Sequence, residues 1–289
     1  MPCYSPHRAW RTNSINPDTG KRGITFSRSK AILDMEVTIP CGRCMGCRIS
    51  KSVQWALRCV HEAKFHDSNC FITLTYDDDH VPHGGTLVKK HFQDFMKRLR
   101  KAIAPQKVRY YMCGEYGDQL GRPHYHALIF GYDFPDKVEF KYRKNSVLYV
   151  SEQLQRLWPL GFVTLGEVTY QTASYCAKYA TKKVFGSDAD QHYGDRLPEY
   201  STMSLKPGIG FSYWEKYQKE ILQHDCVVRN GRTFPIPRFY TEKFTDEEQV
   251  LLKAARADKL ELVKADQTLA RLRVREAVKL SKLKVSNQL

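Results

Sequence analysis

The sequence has no long hydrophobic run. A transmembrane helix needs about 20 consecutive, predominantly apolar residues, and no such stretch occurs among the 289 residues. The opening residues, MPCYSPHRAWRTN, also lack the apolar core of a secretory signal peptide. We therefore expect no membrane span and a protein that remains in a reducing cytoplasm.

Acidic residues are in the minority. The chain has 31 Asp and Glu against 46 Lys and Arg, so its formal net charge is +15. A field of this sign attracts polyanions, which makes nucleic acid the first candidate partner, although a ribosomal-type basic protein would have the same charge. Aromatic residues make up 12% of the chain. Aromatic rings interleaved with cations suit unstacked bases, so the composition favours a single-stranded substrate.

Nine cysteines are present, and in a reducing compartment they are thiols or metal ligands rather than disulfides. Cys41, Cys44 and Cys47 have C-x-x-C-x-x-C spacing, and Cys3 can supply a fourth thiolate. This pattern predicts a structural zinc site that holds a loop-rich N-terminus. An iron–sulfur cluster and unliganded thiols are the alternatives.

The order of predicted elements indicates the fold. Hydrophobic periodicity predicts a helix over 48–66 and then the order β-α-β-β-α-β followed by a further helix. That order is typical of a ferredoxin-like α+β unit with a central antiparallel sheet. Residues 1–40 are expected to be loop-rich, 187–240 irregular and 244–285 helical. The predicted strands cover 70–76, 107–116, 123–132 and 161–168, and the later helices 89–103, 151–160 and 169–185.

Two histidines flank one aromatic residue in the stretch GRPHYHALIFG. On a strand, residues i and i+2 point to the same face, so His124 and His126 project together. Glu115 lies on the preceding strand of a tight hairpin, where a carboxylate can come beside them. Two imidazoles and one carboxylate suit Mn²⁺, Mg²⁺ or Zn²⁺ with positions left for a phosphate. The alternative is a pair of surface histidines.

The stretch SYCAKYATKK contains Y-x-x-K twice. Tyr175 and Tyr179 share one face of a helix, because residues i and i+4 are neighbours there. A tyrosine oxygen can attack a phosphodiester, and Lys178 or Lys182 can offset the developing charge. Core packing is the alternative for tyrosines at this spacing.

Together these motifs resemble those of HUH-type replication initiator endonucleases, which start rolling-circle replication of small circular DNAs. FITLTYDD, RPHYHALIF and YCAKYATKK look like that family's three motifs, in the right order. The resemblance is greatest to the initiators of microviruses, especially the gokushovirus group, and it also includes PCGRCMGCR and MSLKPGIG. It covers most of residues 40–215.

The resemblance implies a role for each motif residue. His124, His126 and Glu115 would hold a divalent metal, Mg²⁺ or Mn²⁺, and Tyr175 and Tyr179 would be alternating nucleophiles. Nicking would leave a 5′-phosphotyrosine and a free 3′-OH. We expect Lys178 and Lys182 to assist, and we assign DNA contacts to three further residues in or beside these motifs: Thr73, Thr75 and Arg122.

The same resemblance sets the expected organisation and partners. We predict a Cys-rich segment and helix over 1–66, an HUH endonuclease domain over 67–186, and an irregular, then helical, basic region over 187–289. The expected partners are single-stranded origin DNA and host replication proteins, a helicase and a polymerase. The expected location is the cytoplasm of a bacterial host.

Two other functions fit parts of the pattern. A non-catalytic, zinc-containing nucleic-acid-binding protein would use the cysteines and the charge but not the paired tyrosines. A phosphoesterase would use the paired histidines as acid and base on a small nucleotide. The tandem Y-x-x-K separates both from a nickase, because neither needs a tyrosine nucleophile.

Overall fold

The computed structural model describes residues 3–118, 120–143, 146–178 and 183–288. The strands are β1 (His7–Ile15), β2 (Arg22–Thr25), β3 (Ala31–Ile39), β4 (Asn69–Tyr76), β5 (Arg109–Tyr116), β6 (Pro123–Phe130), β7 (Val138–Arg143), β8 (Ser146–Val150), β9 (Gly161–Gly166), β10 (Tyr200–Met203), β11 (Val227–Arg229) and β12 (Arg232–Phe234). The helices are α1 (Met45–Ala63), α2 (Lys89–Ala102), α3 (Glu152–Leu157), α4 (Tyr170–Ala177), α5 (Asp188–Tyr193), α6 (Phe211–His224), α7 (Arg238–Thr241), α8 (Asp246–Glu261) and α9 (Leu269–Gln288).

The chain divides into two compact units. One consists of Met1–Ser50 together with Ala255–Leu289, and the other of Lys51–Ala254. The domain boundaries predicted after residues 66 and 186 stay predictions. Among the described residues, no helix combines the length and apolar character needed to cross a bilayer.

The larger unit is built on a seven-stranded antiparallel sheet with the order β10-β5-β6-β4-β9-β8-β7. Its inner strands β9-β4-β6-β5 are joined through α2 and α3 in the ferredoxin-like order. The predicted α+β fold with a central antiparallel sheet is therefore confirmed. The hairpin β7–β8 was not predicted, and it extends the sheet beyond β9.

The alternating sequence of β4, NCFITLTY, explains how the sheet is buried. Its even-numbered residues from Cys70 to Tyr76 are buried, whereas its odd-numbered residues are half-buried. The buried face packs against α2 and α3, and α2 supplies Phe92, Phe95, Met96 and Leu99. Period-2 burial in the strand and period-3.6 burial in the helix are the patterns that sequence analysis detects.

The opposite face of the sheet is only partly covered. Small side chains from α1 and α4 (Ala56, Cys59, Ala173 and Cys176) pack on residues of β5 and β6. Because these side chains are short, the two helices approach the sheet closely at that end. The remaining part of this face contains polar residues, of which Thr73, Thr75 and His124 are half-buried and Glu115 and His126 are buried.

The smaller unit contains a three-stranded antiparallel sheet, β2-β1-β3. The prediction that residues 1–40 are loop-rich is therefore wrong. The strands have few buried residues, with Ala9 the buried position of β1. These strands are recognised from their backbone pairing in the structure. Hydrophobic periodicity did not predict them, because so few of their side chains are buried.

Residues 187–240 are also more ordered than the sequence indicated. Strand β10 pairs with β5 at the edge of the large sheet, and α6 contributes to a separate core with β11 and α7. These elements are short and separated by Gly and Pro, so their secondary structure depends on tertiary packing rather than on local sequence. The predicted helices beyond residue 244 are confirmed by α8 and α9.

Gly161 allows β9 to begin tightly against the end of β4. Its φ is +148°, and a Cβ there would lie 2.2 Å from the backbone nitrogen of Asp77 and 2.3 Å from the carbonyl oxygen of Thr75. Any larger residue would push the two strands apart. Gly166, at the other end of the same strand, has ordinary contact distances, the nearest being 3.8 Å.

We expect Gly161→Ala to lower the free energy of unfolding by about 2 kcal/mol or more, because the added methyl group overlaps the backbone of β4. Gly166→Ala is the matched control and should change it by less than about 0.5 kcal/mol. Urea denaturation followed by circular dichroism measures both. Equal stabilities of the two variants would contradict the steric argument.

Candidate functional site

The hairpin β5–β6 brings Glu115 and the paired histidines together. Glu115 lies directly opposite His124, and His126 lies opposite Cys113 on β5 and Thr73 on β4. Directly paired residues share a face, so Glu115, His124 and His126 project to the same side of the sheet. We call these three residues the Glu–His–His cluster.

The ligand atoms of the Glu–His–His cluster are close to one another. Glu115 Oε1 lies 3.2 Å from His124 Nε2 and 3.3 Å from His126 Nε2, and all three lie within 4.8 Å of one another. Glu115 and His126 are buried, whereas His124 is half-buried. A divalent ion with bonds of about 2.1 Å separates adjacent ligand atoms by about 3.0–3.4 Å, so the observed distances fit such an ion.

Hydrogen bonding fixes the tautomer of His124. Its Nδ1 lies 3.0 Å from the carbonyl oxygen of Arg122. A carbonyl can only accept, so Nδ1 carries the proton and the neutral ring has its lone pair on Nε2. Nε2 faces Glu115 Oε1 at 3.2 Å, where the lone pair of the neutral ring could bind a metal ion together with the carboxylate. The donor set therefore fits a metal ion.

His126 is held from two directions. Its Nδ1 forms a hydrogen bond of 2.9 Å with the Thr73 hydroxyl, and its ring stacks on Phe71 at a centroid distance of 5.5 Å. Such partners orient a ligating imidazole. Nε2 is thereby directed at Glu115.

Tyr125, between the two histidines, secures the strand from its opposite face. Its buried hydroxyl donates to the carbonyl oxygen of Val88 and accepts from the backbone N–H of Val88, both at 2.9 Å. The Tyr76 hydroxyl is a further partner at 2.8 Å. These bonds connect β6 to the beginning of α2.

Tyr175 reaches the Glu–His–His cluster from α4. This short helix begins with a capping box between Thr169 and Thr172. The Tyr175 hydroxyl donates to Glu115 Oε1 over 3.2 Å, and the ring meets His126 edge to face at 4.9 Å. The residue as a whole is 42% exposed, so part of Tyr175 stays accessible to a large substrate.

Burial raises the pKa of Tyr175 above its usual range, and the Glu115 charge adds to the rise. A cation held by the Glu–His–His cluster would act in the opposite direction, because it favours the phenolate. Asp118, which the motif analysis missed, also contributes negative charge to Tyr175. The sequence signal that could have identified Asp118 was its position in the predicted hairpin turn between β5 and β6.

The remaining predicted catalytic residues come after Tyr175 in the sequence. Lys178 is exposed at the end of α4. Tyr179 and Lys182 lie outside the described residues, so the shared helical face of Tyr175 and Tyr179 stays a prediction.

The three predicted DNA contacts lie around the cluster. Thr73 bonds to His126, and Thr75 faces His124 across the sheet. Arg122 donates to the carbonyl oxygen of Tyr76 over 2.9 Å and pairs with Asp78. Thr73 and Arg122 thus position the two histidines, a role that the sequence did not reveal, and their DNA contacts stay predictions.

A second group of ligands lies in the smaller unit. The four residues Cys3, Cys41, Cys44 and Cys47, here called the cysteine cluster, have sulfur atoms within 4.8 Å of one another. Cys3 Sγ lies 3.5 Å from Cys41 Sγ and 3.8 Å from Cys44 Sγ. Tetrahedral zinc with Zn–S bonds of about 2.3 Å places its sulfurs about 3.8 Å apart, so the cluster has dimensions that fit a metal.

Backbone N–H groups surround these sulfurs. Tyr4 donates to Cys44 Sγ and Cys41 to Cys3 Sγ, each over 3.2 Å. Burial raises the pKa of Cys44, but hydrogen bonds from the backbones of Cys47 and Tyr4 outweigh it, and the pKa falls to about 7. Burial raises the pKa of Cys3 and that of Cys47, so Cys44 loses its proton more readily than these two, and metal binding would have to displace their protons.

Comparison with known proteins supports a replication role. The family model described as "Replication-associated protein ORF2/G2P" matches residues 69–184. The chain is 36% identical over 231 residues to "Replication-associated protein VP4" of Bdellovibrio phage phiMH2K, covering 76% of the chain and 71% of that relative. It is 32% identical over 225 residues to "Replication-associated protein ORF2" of Spiroplasma virus 4, covering 73% and 69%.

A third relative, "Replication-associated protein ORF4" of Chlamydia phage 1, is 32% identical over 214 residues, or 71% of this chain and 53% of that protein. No solved structure matched the chain. The matched family region contains Glu115, both histidines and Tyr175.

We expect Thr73→Val to weaken Mn²⁺ binding by about 10- to 100-fold, because the orienting partner of His126 is lost. Thr75→Val is the matched control, since Thr75 lies on the same face and forms no hydrogen bond to either histidine among the described residues. Titration followed by the electron paramagnetic resonance signal of free Mn²⁺ measures affinity, and this hard ion avoids the thiolates. Equal affinities for both variants would contradict the positioning role.

Proposed function

This chain belongs to the family of phage replication-associated proteins, and we propose that it nicks and rejoins single-stranded DNA through a tyrosine nucleophile and a divalent metal. The reaction would begin and end rolling-circle replication of a phage genome. One observation carries the proposal: the Tyr175 hydroxyl and both histidine Nε2 atoms converge on Glu115 Oε1 within 3.3 Å.

The Glu–His–His cluster would hold Mg²⁺ or Mn²⁺. When bound, the ion polarises the scissile phosphate and favours the phenolate. His124 and His126 would present Nε2 toward the ion, while Nδ1 of His124 donates a hydrogen bond to the carbonyl oxygen of Arg122. Glu115 also accepts the Tyr175 hydrogen bond, which directs the phenolic oxygen to this point.

The proposed step is a transesterification. The Tyr175 oxygen forms a bond to phosphorus while the bond from phosphorus to the 3′ oxygen breaks. The tyrosine proton leaves, and the departing 3′ oxygen takes up a proton to become a 3′-OH. One phosphodiester replaces another, so no ATP is consumed.

A second tyrosine would complete the cycle. Tyr179 would cut the strand again after one round of synthesis, and the free 3′-OH would attack the phosphotyrosine to close the circle. Lys178 and Lys182 would offset phosphate charge during these transfers.

The cysteine cluster would hold structural Zn²⁺. Thiolates are soft ligands that favour Zn²⁺, and four of them at tetrahedral spacing would fill its coordination shell. No coordination position would then remain open for a substrate. The ion would join the N-terminal residues to the beginning of α1, because Cys44 and Cys47 bracket the first residue of that helix.

The proposed partners are the single-stranded origin and host replication proteins, a helicase and a polymerase. The proposed place of action is the cytoplasm of the infected bacterium. The net charge of +15 supports binding to the DNA backbone.

We expect a covalent protein–DNA product when the protein meets Mn²⁺ and labelled single-stranded oligonucleotides that tile the genome encoding it. After boiling in SDS, a labelled band should remain at protein mass. It should be absent with EDTA and in the Tyr175→Phe/Tyr179→Phe double variant, because neither phenolic oxygen remains.

Tyr170→Phe is the matched control for that assay. Tyr170 begins the same helix, but its ring packs near Phe234 and under the guanidinium of Arg229, so the band should persist. A band that survives in the double variant would overturn the tyrosine mechanism. No band on any oligonucleotide, with DNA binding intact, would favour a non-catalytic, zinc-containing DNA-binding protein.

We expect about one zinc ion per chain in the purified protein, measured by inductively coupled plasma mass spectrometry. Cys41→Ser should lower this content strongly, because it removes one of four thiolates. Cys226→Ser is the control, since Cys226 is a free thiol outside the cluster, and it should leave the content unchanged. Equal zinc in both variants would contradict the proposed site, and iron in its place would identify the alternative cluster.

A further inference from the structure

An exposed aromatic side chain continues the row of site residues across the sheet. Glu115 pairs with His124, His124 pairs with Thr75, and Thr75 pairs with Phe162 on β9. Direct pairing places all of these residues on one face. Phe162 therefore lies on the same face of the sheet as the Glu–His–His cluster.

The distance along this row suits a nucleotide. Neighbouring strands are about 4.8 Å apart, so the backbone of Phe162 lies about 10 Å from that of His124, two strands away. A phosphate held beside His124 in the Glu–His–His cluster would have its neighbouring base within reach of Phe162. No sequence motif singled out this residue.

Phe162 is 67% exposed, although the next residues of its strand with the opposite orientation, Val163 and Leu165, are buried. A single exposed phenylalanine needs no special explanation by itself. Its position in the row is what distinguishes it. Unstacked bases bind aromatic faces regardless of their identity, and the net charge of +15 favours the phosphates that accompany them.

The backbone under Phe162 is held firmly. Gly161 packs against the end of β4, where a Cβ would overlap backbone atoms. The carbonyl oxygen of Gly161 accepts a hydrogen bond of 2.6 Å from Gln155 Nε2, and Asp77 donates from its backbone to Leu160 over 3.1 Å. The ring is thus presented from a fixed strand, which lowers the entropy that binding must overcome.

We propose that Phe162 is a stacking platform for a base of single-stranded DNA next to the phosphate at the Glu–His–His cluster. The inference rests on the proposed function for its choice of occupant. Its experiment uses binding alone, so that it can succeed or fail separately from cleavage.

The test uses the full chain, two fluorescent probes and no added divalent metal. One probe is a single-stranded dT 20-mer, and the other is an abasic 20-mer with the same sugar-phosphate backbone. Fluorescence anisotropy gives Kd for the wild type and for Phe162→Ala. We expect Phe162→Ala to raise Kd for the dT probe by about 5- to 150-fold, the equivalent of about 1–3 kcal/mol, and to leave Kd for the abasic probe unchanged.

Two further variants sharpen the result. Phe162→Trp keeps an aromatic face and should bind the dT probe within about threefold of the wild type. Phe140→Ala is the matched control, because Phe140 is 63% exposed on β7 at the sheet edge and outside the row. It should leave both Kd values unchanged.

Three outcomes would overturn the inference: no binding of the dT probe by the wild type, equal Kd for wild type and Phe162→Ala, or equal losses on both probes. If the covalent product forms while Phe162→Ala binds both probes as the wild type does, the nicking activity is supported and the stacking role of Phe162 is contradicted. If no covalent product forms but Phe162→Ala loses affinity for the dT probe alone, the stacking role is supported and the nicking activity is contradicted.

Discussion

The register between β5 and β6 is the constraint on which the candidate site depends. Glu115 faces His124 because the hairpin turn fixes which residues pair. Side chains alternate with a period of two, so a slip of one residue would send both histidines to the face that packs against α2 and α3 and bring Tyr125 to the opposite face. The hydroxyl of Tyr125, bonded to Val88 on the far side, opposes that slip.

The sequence predicts elements whose burial follows a regular period. Strand β4 and helix α2 bury residues at spacings of two and of three to four, and both were located from their residues alone. Strands β1 to β3 were missed because most of their side chains remain accessible on the surface. Strand β10 was missed because its pairing with β5 joins residues about 90 positions apart in the chain.

The site was predictable to the extent that it is local. His124 and His126 follow from strand alternation, and Glu115 follows from a tight hairpin. The approach of Tyr175 to Glu115 is different, because it requires α4 to dock on β5 and β6 through Ala173 and Cys176. The tautomer of His124 depends on the carbonyl of Arg122, and no residue pattern records a backbone oxygen.

The hydrogen bonds of Tyr125 have a directional consequence. Its single proton goes to Val88, so the Tyr76 hydroxyl must donate to Tyr125, and Nδ1 of His91, 2.8 Å away, must then donate to Tyr76. The donor and the acceptor are therefore fixed for each hydrogen bond in the chain from His91 through Tyr76 and Tyr125 to Val88. An aliphatic residue at position 125 would leave Val88 and Tyr76 without that partner. Evolutionary change at position 125 should therefore be coupled to change at positions 76 and 91, and these three positions should covary among related phages.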